Sequence, residues 1–145
     1  MKVLLVEDNK VVILGLKKNF SNYSEIELEV AENGFAALNL LSDGQNSSPN
    51  LILLDLNMPI MNGIEFLSHI KKIENLKSIP IVIHSTSNNI SDIEKCYALG
   101  CSGYFTKEVD FAKNKFNIEL IIDYWLQSKG PNILQNSNND FRKTS

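Results

Sequence analysis

Short, unbroken apolar runs recur along this chain, separated by stretches with helical spacing. Lys2–Val6 reads KVLLV, Leu51–Leu54 reads LILL, and residues 79–84 read IPIVIH. Such runs are too short for free-standing helices and suit strands buried on both faces, as in a parallel sheet. Glu27–Ala31 and Gly103–Thr106 supply two further, less apolar strands. Between them, apolar residues fall three and four apart. Val12, Ile13, Leu16 and Phe20 form the first such stripe, and Ala37, Leu38 and Leu41 the second. Phe66, Leu67 and Ile70 form the third, Ile93, Cys96 and Tyr97 the fourth, and Ile118, Ile121, Ile122 and Trp125 the last. Helices are predicted after Asn9 to about Phe20, then over 35–41, 64–73, 89–99 and 111–126, with Gly100 as a stop signal.

Strand and helix therefore alternate five times through short connections. Parallel neighbours need crossovers, so the pattern implies an α/β fold with helices on both faces of one sheet. The expected arrangement is a doubly wound, flavodoxin-like (βα)5 sheet in the order 2-1-3-4-5. The folded domain is expected over 1–126. Residues 127–145 are polar, Asn-rich and aperiodic, and read as a flexible tail.

The 145 residues are 43% hydrophobic and 21% charged, with a formal net charge of −3. That balance suits one soluble domain and offers no general attraction to nucleic acid or anionic membrane. No apolar run approaches membrane-spanning length, so a cytoplasmic protein is expected. Cys96 and Cys101 have no neighbouring His or Cys to complete a zinc set and read as free thiols.

Chemistry concentrates where LILL runs into Asp55. In open α/β sheets, ligands bind at the carboxyl ends of the strands. Pro59 cannot continue a sheet, and Gly63 is expected to free the turn before a helix begins at Ile64. In the order 2-1-3-4-5 the first and third strands are neighbours, which brings Glu7, Asp8 and Asp55 together. Three carboxylates in one pocket repel, and a hard, oxygen-preferring cation such as Mg²⁺ neutralises them. Ser85 after the fourth strand and Lys107 after the fifth reach the same edge, with a hydroxyl donor and an ammonium charge. Taken singly, each of these residues is an ordinary strand-end or helix-start polar group. Together they make a site suited to phosphoryl transfer.

The segment D-x-x-M-P-x-x-x-G from Asp55 to Gly63 resembles the phosphorylation loop of response-regulator receiver domains, the family typified by the chemotaxis protein CheY. The spacing from Ser85 through Gly100 to GCSGYFTK, ending at Lys107, is similar to the same family, and the likeness covers 1–126. It implies that Asp55 is the phosphoacceptor. It also implies that Asp8, Asp55 and the Asn57 backbone carbonyl hold Mg²⁺, with Glu7 acting through a metal-bound water. Ser85 and Lys107 would hold the phosphoryl oxygens, and Ser85 and Tyr104 would form a switch.

The implied role is a stand-alone response regulator of a two-component system or phosphorelay, catalysing only its own phosphorylation and dephosphorylation. Its partners would be a histidine kinase or phosphotransfer protein and a downstream protein target. IIDYWL, ending at Leu126, also resembles single-domain receivers associated with bacterial phytochromes. The aromatic end of the last helix, Tyr124 to Leu126, suits a homodimer through the last strand and helices and equally suits burial against the sheet.

Three positions depart from the family pattern. Glu108 stands where proline usually follows the lysine, leaving that peptide either trans or cis under strain. His84 replaces an apolar strand residue and, by alternation, should face away from Ser85. Thr86 stands where a small residue is usual and is expected to narrow the pocket. His69 reads as a helix-surface residue. A phosphorylation-independent pseudo-receiver is the alternative, which the intact Asp55, Ser85 and Lys107 oppose. A haloacid-dehalogenase-type phosphatase would need a second Asp where Asn57 stands.

Overall fold

A computed structural model describes residues 1–44 and 47–131. Five strands alternate with five helices: β1 (Lys2–Val6), α1 (Lys10–Phe20), β2 (Glu27–Ala31), α2 (Gly34–Ser42), β3 (Leu51–Leu54), α3 (Gly63–Ile70), β4 (Ile81–Ser85), α4 (Ile90–Ala98), β5 (Gly103–Thr106) and α5 (Phe111–Gln127). The strands form one parallel sheet in the order β2-β1-β3-β4-β5, as expected from the alternation. Most of the expected tail lies outside the described residues.

The pleat splits the core into two layers. Val3, Leu5, Leu53 and Val82 point toward α1 and α5, where they meet Ile13, Leu16, Phe20, Ile118 and Ile122. Leu4, Val6, Ile52, Leu54, Ile81 and Ile83 point the other way, against Phe66, Leu67, Ile70 and Cys96. β1, β3 and β4 are buried on both sides almost throughout. That burial explains their unbroken apolar runs.

Side-chain caps start the helices where the chain leaves the sheet. Asn9, Asn33, Asn62, Asn89 and Asp110 each accept backbone N–H groups at a helix start, and Asn62 forms a reciprocal capping box with Glu65. Gly100, at φ 93°, ends α4 as expected.

Four details correct the sequence reading. β4 begins at Ile81, because Ile79 closes a turn onto the Leu76 carbonyl. α3 ends at Ile70 and passes into tight turns rather than running to Ile73. Tyr97 is 52% exposed, since Cys96 takes the inward position and the next residue lies about 100° round the helix. Gly63 is the first residue of α3 and does not have a positive φ. Its role is close approach: a Cβ there would stand 2.3 Å from the Asp55 carbonyl oxygen and 2.7 Å from Leu56 Cα.

Candidate phosphoryl-acceptor site

The ends of β1 and β3 build the acidic half of the site. The Asp55 N–H donates to the Val6 carbonyl at 2.9 Å, locking the carboxylate beside Glu7. Glu7 N–H donates in turn to Ala31 on the other side. Glu7 and Asp55 are only 1% and 5% exposed, and Asp8 is half-buried. Glu7, Asp8 and Asp55 each present a carboxylate oxygen within 4.8 Å of the others, the grouping expected from the strand order.

Lys107 enters from the end of β5. Its Nζ bonds Glu7 Oε1 and lies 3.5 Å from Asp55 Oδ1. The other oxygen of Glu7 accepts the backbone N–H groups of Asp8 and Asn9 at 3.0 and 3.3 Å. Burial pushes the Glu7 carboxyl up to about 7, against the pull of its Lys107 bond and with a further push from the Asp55 charge. The cluster is thus short of positive charge and rich in hard oxygen donors, so the residues present fit a small divalent cation.

The other half comes from β4 and β5. Ser85 is the last residue of β4 and fully buried, and its carbonyl accepts the Lys107 N–H at 2.7 Å. Its Oγ accepts the Ser87 N–H at 3.2 Å. Tyr104 on β5 is half-buried and donates its hydroxyl to the Ser87 carbonyl at 2.6 Å, so both expected switch residues meet at one turn. The Ser87 hydroxyl donates to Asp92 in the first turn of α4, extending that link to a helix. Across the mouth, Asn57 Nδ2 donates to Thr86 Oγ1 at 3.3 Å, and both residues are exposed.

The departures take definite forms. No peptide is cis among the described residues, so Lys107–Glu108 is trans. His84 is 2% exposed and faces α5, away from the Ser85 side as alternation predicts. Burial pushes it down to about 4, despite an opposing bond to Asn114, and the Lys107 charge adds to the shift. His69 is exposed on α3. Both cysteines are free and buried.

Two residues around this half carried no readable sequence signal. Asn114 lies 30 residues from His84, and only the packing of α5 brings the two together, while Asp92 lies five residues beyond Ser87, where the first turn of α4 folds it back.

Five parallel strands in this order, with carboxylates and a lysine at their carboxyl ends, define a phospho-receiver architecture. The response regulator receiver domain family matches residues 3–118, and the chain belongs to that family. Its members accept phosphoryl groups in two-component signalling, interacting with histidine kinases or phosphotransfer proteins and with downstream targets.

The chain is 35% identical over 136 residues to the probable methanogenesis regulatory protein FilR2 of Methanothrix harundinacea, covering 89% of this chain and 88% of that protein. It is 37% identical over 134 residues to response regulator Rcp1 of Synechocystis, covering 87% of this chain and 89% of that one. The Mn²⁺-bound crystal structure of Rcp1 superposes with a TM-score of 0.85 at 33% identity, covering 90% of this chain and 98% of that one. The phosphorylated cyanobacterial phytochrome response regulator RcpA gives a TM-score of 0.84 at 36% identity, covering 90% and 97%. Among the described residues no helix is long and apolar enough to cross a membrane.

Proposed function

We propose that Asp55 is the phosphoacceptor of this receiver and that its phosphorylation changes protein partners. The observation that carries this is the placement of Asp55 at the carboxyl end of β3, beside Glu7 and 3.5 Å from the Lys107 ammonium that also bonds Glu7. A Mg²⁺ held by Asp8, Asp55 and the Asn57 backbone carbonyl, with Glu7 reached through water, would neutralise the charge of carboxylate and phosphoryl oxygens. Asp55 attacks the phosphorus of a phosphohistidine on a kinase or phosphotransfer protein. An O–P bond forms as the N–P bond breaks, and the leaving imidazole keeps the electron pair and takes a proton from solvent. Lys107 exchanges part of its carboxylate pairing for a phosphoryl oxygen, and the Ser85 hydroxyl donates to another.

Ser85 is bonded to the turn that also holds Tyr104, so its movement biases α4, β5 and α5. Tyr97, Tyr104, Leu120, Tyr124 and Trp125 line a groove there that suits a downstream partner or a second copy. The similarity to Rcp1 and RcpA favours a phytochrome-type kinase as donor.

Intact mass after incubation with Mg²⁺ and acetyl phosphate tests the acceptor. One added phosphoryl group, lost in Asp55→Asn and with chelator, is expected. An unmodified native protein, or an equal adduct on Asp55→Asn, refutes it.

A further inference from the structure

Lys107 and Ser85 share a support that the transfer chemistry above leaves unused. Asn114, on the first turn of α5, accepts the Glu108 N–H on its Oδ1 at 3.2 Å. The same oxygen lies 3.2 Å from His84 Nε2. The Glu108 N–H can only donate, so it fixes which end of the amide faces inward. An oxygen there can only accept, so His84 must carry its hydrogen on Nε2. His84 precedes Ser85, Glu108 follows Lys107, and the Lys107 N–H bonds the Ser85 carbonyl. One side-chain oxygen thus closes a ring of contacts around both residues expected to hold phosphoryl oxygens. Its base is firm: the Asn114 N–H bonds the Asp110 carbonyl, and Asp110 caps α5 through Ala112 and Lys113.

We infer that Asn114 is a positioning residue for Lys107, clamping the Lys107–Glu108 peptide to His84 on β4 so that the ammonium is held over Asp55. The inference builds on the acceptor role of Asp55. The side-chain hydrogen bonds of Asn114 go to His84 and the Glu108 N–H and not to Glu7, Asp8 or Asp55, so it acts through the lysine. Loss of the clamp frees the peptide that follows Lys107 to rotate and leaves the buried His84 N–H without its acceptor.

Phosphorylation rates at saturating acetyl phosphate and Mg²⁺ test this, measured where every variant is folded by circular dichroism. Asn114→Leu, similar in volume without an acceptor, is expected to slow acceptance about tenfold, the rate equivalent of one hydrogen bond. Asn114→Asp keeps the acceptor and should stay near the native rate. In a Lys107→Ala background, Asn114→Leu should add little further loss. A native rate in Asn114→Leu, or an equal loss with and without Lys107, overturns the inference.

Nitrogen NMR tests the clamp without turnover. The Lys107 Nζ resonance and the His84 Nε2–H signal should shift in Asn114→Leu, the latter upfield as its acceptor is lost. In Asn114→Asp the Nε2–H signal should remain hydrogen-bonded and move downfield toward a carboxylate acceptor. Unmoved resonances in Asn114→Leu refute the clamp whether or not Asp55 accepts a phosphoryl group. A native protein that takes no phosphoryl group while these resonances move would instead refute the acceptor role and leave the clamp standing.

Discussion

The two halves of the site are held in place by different means. The acidic half, at β1 and β3, is positioned by backbone. Asp55 and Glu7 are each fixed by their own N–H in the strand ladder, and Glu7 is further held by the amides of Asp8 and Asn9. The half at β4 and β5 is positioned largely by side chains arriving from helices, with Asn114 on Glu108 and His84, and Asp92 on Ser87. A backbone ladder tolerates sequence change, because any L-residue except proline can supply its N–H. A side-chain clamp depends on residue type at each end. His84, Thr86 and Glu108, the three positions expected to depart from the family pattern, all lie in the second half, where residue type matters most.

The most damaging single change should be at the backbone half. Gly63→Ala drives a methyl into the Asp55 carbonyl and Leu56, atoms that cannot swing aside. A loss of about 3 kcal/mol in urea unfolding is expected. Gly15→Ala on α1, where a Cβ meets nothing within 4 Å, is the control and should be neutral or slightly stabilising. Equal effects at the two glycines would show that close packing behind Asp55 is not what holds it.

The side-chain half should carry an acid sensitivity of its own. His84 is held near 4 in the folded chain, against an ordinary value of 6.5. Between those values the unfolded chain binds more protons, so stability is full above about pH 6.5 and falls as pH drops toward 4. From pH 7 to pH 5 this one residue should cost about 2 kcal/mol. Urea unfolding of the native protein and of His84→Leu at both pH values measures it. The native protein should lose more than the variant by that amount, and parallel losses would remove His84 as the cause.

The smallest effect should lie at the mouth, where the two halves meet. Thr86→Ala removes the hydroxyl that accepts from Asn57 and, if Thr86 narrows access as expected from the sequence, opens the way to Asp55. Dephosphorylation after donor removal should quicken about twofold, in keeping with one exposed bond. An unchanged decay would show that Thr86 does not narrow access.

The legibility of the site follows the same division. Asp55 could be read from the run LILL before it and the Met-Pro turn after it, and Glu7 and Asp8 from the end of KVLLV. Both signals are local, because a buried strand announces itself by composition and its carboxyl end by the first polar residue. The strand order then brought the carboxylates together before any contact was known. Gly63 was picked out for the wrong reason: the sequence marks a glycine, but turn freedom and close approach look alike until the opposing backbone is in place.

By itself, the sequence determined the five-fold alternation, the sheet order, the acidic cluster and the arrival of Ser85 and Lys107 at one edge. The alternation and the polar strand ends depend on residue type and short-range period, which a linear chain displays directly. The sheet order and the grouping at one edge followed from the doubly wound arrangement that such alternation adopts. Only the tertiary structure decided that Lys107 bridges Glu7 and Asp55, that Tyr97 faces outward, and that Asn114 joins His84 to Glu108. Those facts rest on the rotation of each helix about its axis and on contacts between residues far apart in the chain. Both are set by how the two apolar layers pack, and no local pattern encodes them.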